Sequence, residues 1–298
     1  MTKVDTRAVR TARRLCAARI KAAGRALTAS PSDEAVHLAR RELKRARALL
    51  RLVRSGLAGD AYGRVNGTLR EIGQMLGGAR DAVVLKELAR ETAAGAGIAP
   101  AALRSLLMRF ERERRTRQAR IDAPRARAQL KVARQRLLAA PLEGDGTMLA
   151  VGFVRIYRRG RRALEAAREV PRPTRLHEWR KHVKQYWHAL EVLEPAWPRM
   201  MTALAGEAHR LADVLGAHHD CTLLAARLDA APLAPALRRK LAAALVRRRA
   251  LLRSRAFTIG ARLYEERPRR LAPRAAQWWQ HWVEAAPTAA RRGRARRA

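Results

Sequence analysis

The sequence predicts an all-α protein, and three observations carry that reading. Ala, Leu, Arg and Glu, all strong helix formers, dominate the 298 residues. Apolar residues recur at three- and four-residue spacing, the period of a helix buried along one face. No run alternates β-branched and polar residues as a half-buried strand does. With 48% hydrophobic residues the chain can bury a substantial core, which excludes disorder along its whole length.

Breaks fall where Gly, Pro and Ser gather: TASPSD (28–33), AAGAGIAP (93–100), APLEGDG (140–146), VPRPT (170–174), EPAWP (194–198) and APLAP (231–235). They delimit helices over 7–28, 33–57, 64–93 and 100–140, then over 148–170, 174–196, 199–229 and 235–260. APLEGDG is the seam between two series of four. A further helix over 273–286 carries Trp278, Trp279 and Trp282, an amphipathic face expected to dock on the second bundle, and the basic tail ARRGRARRA follows.

The two series match residue by residue. A shift of 140 places His37 on His177, Arg40 on Arg180, Lys44 on Lys184 and Leu50 on Leu190. A shift of 139 lays IGQMLGGARDAVVL (72–85) on LADVLGAHHDCTLL (211–224), so that Leu76, Gly77 and Asp81 meet Leu215, Gly216 and Asp220. Composition does not explain coincident His, Gly and Asp. Two pseudo-symmetric four-helix units follow, 1–140 and 147–272, with 273–298 as terminal helix and tail.

Charge narrows the function. Lys and Arg number 64 against 26 Asp and Glu, a net charge of +38. Self-repulsion of that size opposes compaction, so a polyanionic partner is implied. Only eight of the 64 cations are lysines, and arginine suits planar, bidentate contact with phosphate. Cys16 and Cys221 stand outside any metal-binding spacing and cannot build a disulfide framework, so a reduced cytoplasmic setting is expected. No window approaches the roughly 18 apolar residues of a membrane span. The first 25 residues lack a signal peptide's apolar run, and their transit-peptide look is offset by a helical counterpart later in the chain.

The charge is also ordered. At about 100° per residue, Arg40, Arg41, Lys44, Arg47 and Arg51 fall within about 80° of His37. Leu38, Leu43, Leu49, Leu50 and Val53 occupy the other half. In the second series His177, Arg180, Lys181, Lys184 and His188 share one face, with Glu191 the one acid on it, and Val183, Tyr186, Leu190 and Leu193 share the other. A solvated helix face ordinarily mixes signs, because opposite charges at i,i+4 stabilise each other. These stripes do not, which predicts two halves of one polyanion cradle.

VHLARRELKRARALLRL with LREIGQMLGGARDAVVL, then LHEWRKHVKQYWHALEVL with HRLADVLGAHHDCTLL, resemble the CHAD domains, an all-helical family named for conserved histidines. The resemblance spans residues 5–260. It implies two pseudo-symmetric four-helix bundles meeting at a basic groove or channel that binds inorganic polyphosphate, with His37, Arg40, Arg41, Lys44, His177, Arg180, Lys181 and Lys184 as contacts. Some members of the family are fused to a triphosphatase domain or associate with polyphosphate granules. The chain departs from the family pattern at Tyr186 and Trp187, which makes the second stripe the weaker one.

The residues themselves suit such a ligand. Polyphosphate offers neither base nor sugar, so guanidinium, ammonium and imidazolium groups suffice to hold it. Aromatics are only 4% of the chain, and single-strand nucleic-acid modules need stacking platforms. Nucleic acid is therefore the disfavoured polyanion, although the net charge permits it. His218-His219-Asp220 raises a metal-dependent phosphohydrolase as another reading. One such cluster cannot fill a metal site, and the aligned pair Arg80-Asp81 exchanges a cation rather than a ligand. No metal or cofactor is expected. Arg70, Arg80, His209, His218 and His219 are secondary contacts, Asp81 and Asp220 orienting or structural partners. Gly77-Gly78 lacks phosphate-loop spacing and reads as close helix packing, and ERERRTRQAR (111–120) as a mostly solvated face. The expected function is noncatalytic binding of polyphosphate, whether free, on granules or with a polyphosphate-related enzyme.

Overall fold

A computed structural model of the chain describes residues 7–143, 147–278 and 280–281, with the side chains of 7, 8, 78–81 and 118 left aside. Among the described residues there is no strand, only one isolated bridge, between Leu57 and Leu142. The helices are α1 (Arg7–Ala26), α2 (Asp33–Leu52), α3 (Ala61–Met75), α4 (Gly78–Gly95), α5 (Arg104–Ala119), α6 (Ala123–Ala139), α7 (Thr147–Glu169), α8 (Pro173–Leu193), α9 (Pro198–Asp229) and α10 (Pro235–Leu263). A last helix, α11, covers 268–278. None is long and apolar enough to cross a membrane.

Local chemistry sets the boundaries. Ser32 caps α2 by accepting from the Ala35 amide at 3.2 Å, and Asp33 and Glu34 fill the first turn beside the positive end of the helix dipole. Pro173, Pro198 and Pro235 open α8, α9 and α10, where the missing N–H costs nothing.

Two expected helices are divided. The 64–93 segment breaks at Leu76-Gly77, and 100–140 breaks at Arg120-Ile121, where Asp122 caps α6 by accepting from the Arg125 amide at 2.9 Å with Pro124 behind it. IDAP carries that cap in sequence, against the helical period on either side. The matching segments of the second series stay whole as α9 and α10. The terminal helix starts at 268 rather than 273; Trp278 packs edge-on against Trp197 at 5.8 Å, while Trp279's side chain, Trp282 and the tail lie outside the described residues.

The hydrophobic interior does not divide at the 140–146 seam. A proximal core joins α1, α2, α3 and α6 to α7, α8, the first half of α9, the end of α10 and α11. A distal core joins α4 and α5 to the second half of α9 and the first half of α10. At about 1.5 Å per residue the 32 residues of α9 run through both. The helices of the two series meet where Gly152 of α7 lies against the Leu52 backbone of α2, too close for a Cβ. Cys16 and Cys221 are free thiols in different cores. The 111–120 face is not merely solvated: Glu111 holds Lys86 and Arg114, each at 2.9 Å, and Glu113 reaches Arg227 of α9 at 2.8 Å.

Candidate polyanion site

α2 and α8 pack against each other and run antiparallel: Arg45 meets Glu191 at 3.4 Å, while Arg51, six residues on, lies beside His182. Two arginines of the stripes are held at the level where the chain passes from the proximal to the distal core. Arg40 donates to the carbonyls of Leu76 (2.9 Å), which caps the end of α3, and Gly77 (2.7 Å), which precedes α4. Arg180 lies over Gly216 of α9, where an added Cβ would stand 3.3 Å from Nε and from one terminal nitrogen.

The aligned glycines are thus seats for the aligned arginines, a role the close-packing reading missed. Their helices respond differently. Gly77-Gly78 is a doubly weak helix former, and Arg40 binds the two carbonyls at the break. Gly216-Ala217 keeps α9 intact, and the buried Nε of Arg180 has no hydrogen-bond partner.

Between the arginines lie Lys44, exposed on α2, and Lys184, half-buried on α8. Burial, then the charges of Arg180 and Lys44, push the Lys184 amine down to about 7, against the pull of Asp213 and Asp220. The His177 ring lies tilted against His219 of α9 with ring centroids 4.2 Å apart. Burial, then His177 and Arg180, holds His219 down at about 4; burial, then Lys181 and Arg180, lowers His177, whose Nδ1 is buried without a partner. His37 and Arg41 are exposed on α2, with Arg41 3.9 Å from the buried carboxylate of Glu42. Lys181 pairs with Glu178 at 2.6 Å, an acid absent from the wheel reading of that face.

Further along α2, Arg47 donates to Asn66 at 3.1 Å and Arg51 to the Arg47 carbonyl at 3.0 Å. Burial, then Arg47, pulls the Arg51 guanidinium down to about 10, and Arg70 of α3 adds its charge near Arg47. α7 brings Arg155 and Arg159 to the same place, with Arg155 donating to the Arg51 carbonyl at 3.1 Å. Neither these nor His182 stood out in sequence, because RIYRRGRR reads as an ordinary basic helix until its neighbour is known.

The remaining predicted positions have other surroundings, except Asp220. His188 is buried, donates from Nδ1 to the Glu191 carboxylate at 3.0 Å and stacks on Trp187. His209 is exposed, stacks on Trp187 and lies 3.4 Å from Asp213. His218 is buried toward Arg249 and Arg253 of α10 rather than toward His177. So His218 and His219, adjacent in sequence, face different surroundings. Asp220 lies near Lys184. Among the described residues no three His, Cys, Asp or Glu side chains converge as a metal would require. The side chains of Arg80 and Asp81 lie outside those described.

Comparison with known proteins agrees with this architecture. PptA from Streptomyces chartreusis superposes with a TM-score of 0.64 at 16% identity, covering 87% of this chain and 99% of that one. The CHAD domain from the plant Ricinus communis superposes at 0.54 with 18% identity, covering 85% and 89%. No curated protein matches the sequence. The sequence model of the CHAD domain family matches residues 11–229, which span most of α1 and all of α2 to α9, and the chain belongs to the CHAD domain family.

Proposed function

We propose that this chain binds inorganic polyphosphate without turning it over, in a basic groove where α2 and α8 face the joint between the two cores. One observation carries the reading: Arg40 and Arg180, seated on Gly77 and Gly216, flank Lys44 and Lys184. Such a set supplies bidentate donors and point charges and little else. Membership of the CHAD family supports the same ligand, and polyphosphate granules would present it in bulk. Arg and Lys contact phosphate oxygens directly. His177 and His219 take up protons when the polyanion arrives, because nearby negative charge favours the imidazolium. The aromatic rings near the cradle already have partners, Trp187 in His188 and His209 and Tyr62 in Arg54 at 4.7 Å, which disfavours stacking by a base.

Long-chain polyphosphate should bind at moderate salt and be recovered at its original length. Phosphate release would be followed with magnesium, manganese or a chelator. Release that needs a divalent ion and stops with the chelator would replace this reading with a metal-dependent hydrolase.

A further inference from the structure

Resting on that reading, the two flanks of the cradle are unlike, and the difference concerns where a long chain can go. On the flank formed by α2, α3 and α7, Arg47, Arg51 and Arg155 are linked through Asn66 and the Arg47 and Arg51 carbonyls. Arg54 covers the Tyr62 ring, Arg159 lies beside Arg51, and the buried Nδ1 of His182 has no partner. Among the described residues, none of Arg47, Arg51, Arg54, Arg155 and Arg159 pairs with a carboxylate. Five arginines this close repel one another, and backbone carbonyls orient them without cancelling their charge.

The positions 140 residues away on the other flank tell the opposite story. Arg47 and Arg51 correspond to Trp187 and Glu191, and Arg155 and Arg159 to Leu15 and Arg19. Those four line a cavity of about 660 Å³. There Glu191 holds Arg45 at 3.4 Å, and Glu42 holds Arg19 at 3.2 Å and Arg45 at 3.3 Å. The cations of that flank are neutralised, and Glu191 opposes any further phosphate.

We propose that the arginine cluster of Arg47, Arg51, Arg54, Arg155 and Arg159 is an outer phosphate subsite of the cradle, reached only by long chains, and that a bound polyphosphate leaves the cradle over this flank alone. Arg40 and Arg51 are eleven residues apart on α2, about 16 Å along the helix. A short chain held between Arg40 and Arg180 ends before the cluster; a long one continues into it.

The test compares sodium tripolyphosphate with long-chain polyphosphate on the full chain. Arg54 and Arg159 are exposed and hold no ion pair, so the variant Arg54→Gln/Arg159→Gln should fold normally, checked by its melting curve. Long-chain affinity should fall about tenfold, and its salt slope should flatten by about 0.7 per lost contact, as for a flexible single strand. Tripolyphosphate affinity should change less than twofold. Arg19→Gln, the matching arginine of the other flank, should leave both ligands unaffected. Equal losses for both lengths, no loss for either, or an equal effect of Arg19→Gln would each overturn the proposal. Failure of the unmodified chain to bind either ligand would instead overturn the polyphosphate reading itself.

Discussion

Replacing Lys44 by Glu should lower polyphosphate affinity about a hundredfold or more while leaving the protein at least as stable. The two effects have separate causes. Lys44 is exposed, and its ammonium lies near the half-buried amine of Lys184, which it pushes toward the neutral form. A carboxylate at 44 gives Lys184 a counter-charge, so the native state loses a repulsion. For the ligand the same change removes a charge-assisted contact worth about 1.5–3 kcal/mol, adds repulsion and engages Lys184. Titration with long-chain polyphosphate and a thermal melt check both halves. Arg125→Glu/Arg127→Glu on α6, remote from the cradle and twice as large in charge change, should cost several-fold less. Equal losses would mean that only net charge matters.

The second large effect is on pH. In the free protein Lys184 titrates at about 7 and His219 at about 4, with His177 also lowered. A bound polyanion raises all three toward or above their ordinary values, so binding takes up protons. Affinity is therefore greatest at low pH and falls as pH rises through the bound-state pKa values. Between about pH 7.5 and 9.5 Lys184 dominates, and one proton taken up corresponds to about a tenfold loss per pH unit. Stability of the free protein moves the other way. Lys184 binds a proton more readily unfolded than folded, so the ligand-free fold gains stability as pH rises from about 7 toward 10.5. Calorimetry at pH 8 in buffers of different ionisation enthalpy should show about one proton taken up, and none in Lys184→Met. An affinity independent of pH across this window would contradict the burial and crowding assigned to Lys184.

Much of the fold was legible because helix ends are written in Pro, Gly and capping residues. The faces of α2 and α8 were legible because a helical wheel fixes angles within one element. What the wheel cannot give is the neighbour. His188 lies only about 20° from His177 around α8, yet the α2 crossing and Glu191 enclose it while His177 meets His219. His218 and His219 differ for the same reason. Arg155 and Arg159 joined the site because Gly152 lets α7 lie against α2, a contact between segments 100 residues apart. The glycine seats were half-visible: the coincidence of Gly77 with Gly216 was in the sequence, but that an arginine rests on each is known only once α2 meets the α3–α4 joint and α8 meets α9.

The charge of the whole chain would attract any polyanion, so the central claim is that α2 and α8 shape a site for one of them. The most direct measurement is competition at a single fixed moderate salt concentration, since phosphate contacts make affinity steeply salt-dependent. Labelled long-chain polyphosphate would be challenged with unlabelled polyphosphate, single-stranded RNA and duplex DNA of matched charge. The cradle predicts that polyphosphate displaces the label at concentrations about tenfold or more below either nucleic acid. Equal displacement by all three would contradict it, leaving a diffuse basic surface in place of a site.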